Sequence, residues 1–127
     1  MARILIAEDD AASQSFVARA LTQDGHAVTP VGDGLQALEA LGAAGYDLLI
    51  TDIVMPGLDG IGLALRAARD WPELPILLMT GYTAERQRAH NLEEIILKVI
   101  SKPFTLEQIC REAAAALTHR PAASNGA

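Results

Sequence analysis

The sequence predicts an α/β domain: a five-stranded parallel sheet with helices on both faces, stacked in three layers. Three observations predict it. Apolar runs and helix-like stretches alternate five times along the 127 residues. The runs are short and apolar throughout, as in Ile4-Leu5-Ile6-Ala7 and Leu48-Leu49-Ile50-Thr51. That pattern suits strands covered on both faces rather than strands with one wet face. Finally, charged or hydroxyl residues stand where the runs end: Glu8-Asp9-Asp10, Asp52, Thr80 and Lys102. In parallel sheets functional groups gather beyond the carboxyl ends of the strands.

The elements follow in order. A first strand fits Arg3–Ala7. A helix over Ala12–Asp24 sets Phe16, Val17, Ala20 and Leu21 on one side, and Gly25 ends it. A second strand fits Ala27–Val31. Asp33 starts a helix running to about Ala43, with Gln36 as its capping-box partner and Leu35, Leu38 and Leu41 facing inward. The third strand is Leu48–Thr51. Pro56-Gly57 marks a loop, and Asp59 caps a helix from Gly60 to about Arg69. Pro72 and Pro75 bracket the next loop, with Trp71 covering an edge of the core. Ile76–Thr80 is the fourth strand. Thr83 to about Asn91 reads as a weak, polar helix with few apolar residues to hold it. Lys98–Ser101 is the fifth strand. Thr105 and Gln108 cap the last helix, whose inward face is Leu106, Ile109, Cys110, Ala113 and Leu117.

The expected organisation is one domain over residues 1–118 and a disordered tail over 119–127, where the chain turns to His-Arg-Pro-Ala-Ala-Ser-Asn-Gly-Ala. Half of the residues are apolar, yet no run is long enough to span a membrane. The net charge of −6 argues against direct DNA binding, because phosphate contacts need a basic face. Met1 leads straight into a strand-like segment, so no secretory leader is expected, and Cys110 has no second cysteine to bond with. The expected location is the cytoplasm, with no membrane contact.

Each site residue has a plain reading when taken alone. Acids at positions 8–10 suit a helix N-terminus, and Asp10 fits that role. Asp52 could cap a loop, Thr80 could be a strand-end hydroxyl and Lys102 a surface lysine. Their shared placement at strand ends is what the plain readings leave unexplained. Carboxylates brought together repel one another and call for a hard divalent cation such as Mg²⁺, and a lysine beside it can face a phosphoryl group. His26, His90 and His119 are scattered without ligand spacing, so a histidine metal site is not expected.

The segments Ile4 to Asp10, Leu49 to Gly60, Met79-Thr80-Gly81 and Ser101-Lys102-Pro103-Phe104 resemble the receiver domain of two-component response regulators, over about Arg3–Leu117. The resemblance implies a flavodoxin-like, chemotaxis-type fold. It implies Asp52 as phosphoacceptor, Asp9 as a direct Mg²⁺ ligand, Glu8 acting on the metal through water, and the Val54 backbone carbonyl as a further ligand. Lys102 and the Thr80 hydroxyl would meet phosphoryl oxygens, with the Gly81 amide beside them. The Lys102-Pro103 bond is expected to be cis. Where many receivers carry a rotating aromatic, this chain has Val99, and Tyr82 is the candidate substitute. The implied partners are a cognate sensor histidine kinase or histidine phosphotransfer protein and a downstream protein target.

Two other classes compete. A metal-dependent phosphatase with an aspartyl nucleophile normally carries a second acid two residues on, where Val54 stands. A flavodoxin-like mononucleotide carrier needs a glycine- or hydroxyl-rich phosphate loop after the first strand, where Glu8-Asp9-Asp10 would repel phosphate. The expected function is a receiver without turnover of its own, acting by protein docking or phosphate relay. Several of its segments are similar to stand-alone receivers of the CpdR type.

Overall fold

The computed structural model describes residues 2–81 and 96–118. Five strands form one parallel sheet: β1 (Arg3–Ala7), β2 (Ala27–Val31), β3 (Leu48–Asp52), β4 (Ile76–Thr80) and β5 (Lys98–Ser101), in the order β2-β1-β3-β4-β5. Four helices are described: α1 (Ala11–Gln23), α2 (Gly34–Ala43), α3 (Gly60–Asp70) and α4 (Leu106–Thr118). Tyr82, the expected helix over Thr83–Asn91 and the expected tail from His119 lie outside the described residues.

Residue parity along the strands sorts the core into two clusters. Ile4, Ile6, Leu48, Ile50, Leu77, Met79 and Ile100 pack with Val17, Ala20 and Leu21 of α1 and Ile109, Ala113 and Ala116 of α4. Leu5, Ala7, Leu49, Ile76 and Leu78 point the other way, onto Ala37 and Leu41 of α2 and Leu63, Ala64 and Ala67 of α3. Every residue of β3 and β4 is buried, because both strands are central and covered on both faces. The edge strands are wetter, and Pro30 sits in edge strand β2, where its missing N–H leaves no gap in the sheet.

Helix starts follow their caps. Asp10, Asp33 and Asp59 each accept a hydrogen bond from a backbone N–H three residues on, at Ser13, Gln36 and Gly62. Thr105 and Gln108 form the expected reciprocal box at α4, at 3.0 and 2.7 Å. Gln36 behaves differently from a box partner: its Oε1 accepts from Gly32 rather than from the cap residue Asp33.

Three residues expected on the apolar faces of helices are exposed. Leu35 is 58% exposed because the buried face of α2 runs through Gly34, Ala37 and Leu41, one step around the helix. Leu106 is 44% exposed, since it opens α4 before the turn carrying the first buried residue, Ile109. Phe16 is 41% exposed and packs at its edge on Phe104, with ring centroids 6.2 Å apart. Cys110 is half-buried and donates to the Ala20 carbonyl, and Trp71 packs on the edge of the α2/α3 side of the core.

Gly60 lets α3 begin against the end of β3. Its N–H donates to the Ile53 carbonyl at 2.8 Å, and a Cβ there would lie 2.0 Å from the Asp52 carbonyl oxygen. Gly42, in the last turn of α2, has open space around it. Urea unfolding should therefore separate the two. Gly60→Ala should lower stability by roughly 2 kcal/mol or more, because backbone must move. Gly42→Ala should raise it by about 0.5–1 kcal/mol through helix propensity. Equal effects from both would show that Gly60 is not pinned.

Candidate functional site

Parity also brings the charged residues together. Glu8, Asp52 and Lys102 each stand two residues beyond Ile6, Ile50 and Ile100, all buried in the α1/α4 side of the core. At the carboxyl end of the sheet they converge. Glu8, Asp9, Asp52, Val54, Thr80, Gly81 and Lys102 line one cleft of about 420 Å³. Lys102 Nζ lies 2.6 Å from Glu8 Oε1 and 2.9 Å from Asp52 Oδ1. Its backbone N–H donates to the Thr80 carbonyl at 2.7 Å, which fixes the ends of β4 and β5 side by side. The Lys102-Pro103 peptide is cis, as expected.

Burial divides the roles. Glu8 is 1% exposed and Asp52 8%, while Asp9 is exposed at the rim. Thr80 is buried, Gly81 is exposed, and Val54 turns its side chain outward. Val99 is half-buried and packs on the α2/α3 side of the core. Burial pushes the Glu8 carboxyl above its usual range; the Lys102 hydrogen bond pulls it partly back, and the Asp52 charge adds to the rise. For Lys102, burial alone would favour the neutral amine. The hydrogen bonds to Glu8 and Asp52 and the charges of both outweigh it, so its pKa stands above the ordinary value.

One oxygen each of Glu8, Asp9 and Asp52 lies within 4.8 Å of the others. An all-oxygen, carboxylate-rich donor set fits a hard cation such as Mg²⁺, and one lysine cannot neutralise three carboxylates. The Glu8–Lys102 pair was not legible in the sequence, because nothing in it says which acid the lysine meets.

Two further side chains had no sequence signal. Gln14, in the first turn of α1, donates its amide to the Glu8 carbonyl at 3.1 Å and to the Val31 carbonyl at 2.9 Å. A polar residue there reads as a solvated helix face. Thr51, fully buried, donates its hydroxyl to the Asp52 carbonyl at 2.9 Å. A strand-end threonine reads as ordinary β propensity.

The fold and the acid–lysine cleft define a class: parallel α/β domains with a carboxylate cluster at the strand ends. The chain belongs to the response regulator receiver domain family, whose pattern matches residues 4–114. It is similar to the response regulator receiver protein CpdR of Brucella abortus, 42% identical over 112 residues, covering 88% of this chain and 93% of that protein. It is 35% identical over 107 residues to the transcriptional regulatory protein TcrA of Mycobacterium tuberculosis, covering 84% of this chain but only 42% of TcrA. The crystal structure of the NtrX receiver domain from Brucella abortus superposes with a TM-score of 0.85 at 27% identity, covering 91% of this chain and 98% of that one. The chain is thus a receiver domain of a two-component response regulator, and receivers take phosphodonor partners such as histidine kinases. Among the described residues no helix is long and apolar enough to cross a membrane.

Removing the lysine tests the electrostatics. Lys102→Met leaves Glu8 buried without a cation, so its pKa rises further and its ionised form destabilises the fold at neutral pH. The loss should approach, without exceeding, the roughly 3–5 kcal/mol of a broken buried pair. As pH falls through that raised pKa toward the unfolded value, Glu8 takes a proton in the fold first and the stability returns. Urea unfolding at pH 7 and pH 5 should show this recovery. Glu8→Gln in the same background should recover it at pH 7. A loss that is independent of pH and of Glu8 would count against the pair.

Proposed function

We propose that Asp52 is the phosphoacceptor of a Mg²⁺-dependent receiver that signals by phosphorylation-dependent protein docking or by phosphate relay. One observation carries this reading: a strand-end carboxylate, 8% exposed, stands 2.9 Å from a lysine ammonium and beside two further carboxylates. Glu8, Asp9 and Asp52 would hold the metal, with the Val54 carbonyl beside them; when bound, Mg²⁺ offsets the charge of the phosphoryl oxygens.

An Asp52 carboxylate oxygen forms a bond to phosphorus as the bond from phosphorus to the donor nitrogen of a phosphohistidine breaks. The product is an acyl phosphate, and the imidazole leaves with its electron pair. Positioning and charge dominate such a transfer. Lys102, already held between Glu8 and Asp52, turns a charged N–H to one phosphoryl oxygen. The Thr80 hydroxyl donates to another, a bond strengthened by the charged acceptor, and Gly81 follows it. That movement is a population shift between existing states. Val99 is too small to act as a rotating aromatic.

The chain performs only its own phosphotransfer and the slow loss of that phosphoryl group. Val54 supports this, because two residues beyond Asp52 it offers no acid to drive turnover. The donor is a sensor histidine kinase or a histidine phosphotransfer protein, acting in the cytoplasm. The target is another protein, since a net charge of −6 disfavours direct DNA binding.

Acetyl phosphate or beryllofluoride with Mg²⁺ should modify the wild type and leave Asp52→Asn untouched, as read by intact mass for the former and amide shifts for the latter. Asp9→Ala should keep its fold and lose Mg²⁺ binding by calorimetry. Equal phosphorylation of Asp52→Asn would remove Asp52 from the role.

A further inference from the structure

We propose that Gln14 is a positioning residue for the metal site, a clamp that sets where the Asp9 side chain starts. The inference rests on the Mg²⁺ reading above and deepens it. The Gln14 amide donates to the carbonyl of Glu8, whose peptide plane contains the Asp9 nitrogen. Its backbone N–H donates to the Asp10 carbonyl at 2.9 Å. One residue thus holds the chain on both sides of Asp9. The same side-chain amide ties this turn to the end of β2 through the Val31 carbonyl, which also accepts the Glu8 N–H at 3.1 Å.

Asp9 needs such support more than its neighbours. Glu8 is buried and held by Lys102 and by the Asp10 N–H, and Asp52 is held by Lys102. Asp10 is fixed by its cap to Ser13. Asp9 is exposed, so its backbone fixes only where its side chain starts, and that start is what a clamp on the turn can set. Groups that orient metal ligands from behind affect affinity without touching the ion.

Gln36 supplies an internal control. Its amide oxygen also holds the exit of β2, accepting the Gly32 N–H at 2.9 Å in the peptide unit whose Val31 carbonyl Gln14 holds, but it makes no direct bond to the acidic turn. Calorimetric Mg²⁺ titration should show roughly tenfold weaker binding by Gln14→Met. Gln36→Met should weaken binding clearly less, because it reaches the acidic turn only through that shared peptide unit. Gln14→Glu is sharper. It adds negative charge near a cation site, so long-range electrostatics predicts tighter binding. A carboxylate cannot donate to two carbonyls, so the clamp predicts weaker binding.

In metal-free protein, Gln14→Met should shift the Asp9 and Asp10 amide resonances and speed exchange of the Asp9 amide. Wild-type affinity in Gln14→Met, equal weakening in Gln36→Met, or tighter binding by Gln14→Glu would overturn the clamp. Unchanged Asp9 amide signals would overturn it even without metal. If wild type and Asp9→Ala bind Mg²⁺ alike while the Asp9 amide responds to Gln14→Met, the metal reading fails and takes Gln14's role for the metal with it, and only its hold on the Asp9 backbone stands.

Discussion

The Lys102 ammonium sits 2.6 Å from the Glu8 carboxylate and 2.9 Å from that of Asp52, and the rest of the site is arranged around it. The three residues come from the ends of three strands. Two buried carboxylates at one edge of a sheet would repel each other without a cation between them, and burial already raises the proton affinity of Glu8. The lysine offsets that repulsion but cannot neutralise Asp9 as well. The excess negative charge makes the cleft a fitting place for a divalent cation and then for an incoming phosphoryl group.

The sheet delivers these groups with little freedom. β3 and β4 are buried along their whole length, so slipping their register would turn core residues out of both clusters. The same register fixes Asp52 opposite Met79 and Thr80 opposite Ser101. Gly60 brings the start of α3 against the Asp52 carbonyl, and the Thr51 hydroxyl meets the same oxygen. Asp52 is therefore held by strand pairing, by a close helix start and by a buried hydroxyl. The rim that carries Asp9 and Gly81 is exposed. A stiff centre with an accessible rim suits the phosphoacceptor role proposed for Asp52.

Much of this was written in the sequence because it depends on local pattern. Five short apolar runs separated by amphipathic stretches leave few alternatives to a parallel sheet with helices on both faces, and four aspartate or threonine caps mark helix starts within a residue. The strand-end position of Glu8, Asp52, Thr80 and Lys102 was equally legible, since a strand end is a local property. The cis bond at Pro103 and the family assignment followed from specific motifs.

Tertiary structure decided what pairs with what. No local pattern says that Lys102 takes Glu8 as well as Asp52, because the partners lie 94 and 50 positions away and meet only through strand order. Leu35 and Leu106, expected to face inward, are exposed, since leucine signals a buried stripe but the sheet beneath determines where that stripe falls. Gln14 carries no signal in its local pattern; only the placement of β2 beside it brings its amide to two carbonyls from different strand ends. Composition and periodicity determine the elements and their ends. Long-range contacts determine which of those ends share a proton, a cation or a hydrogen bond.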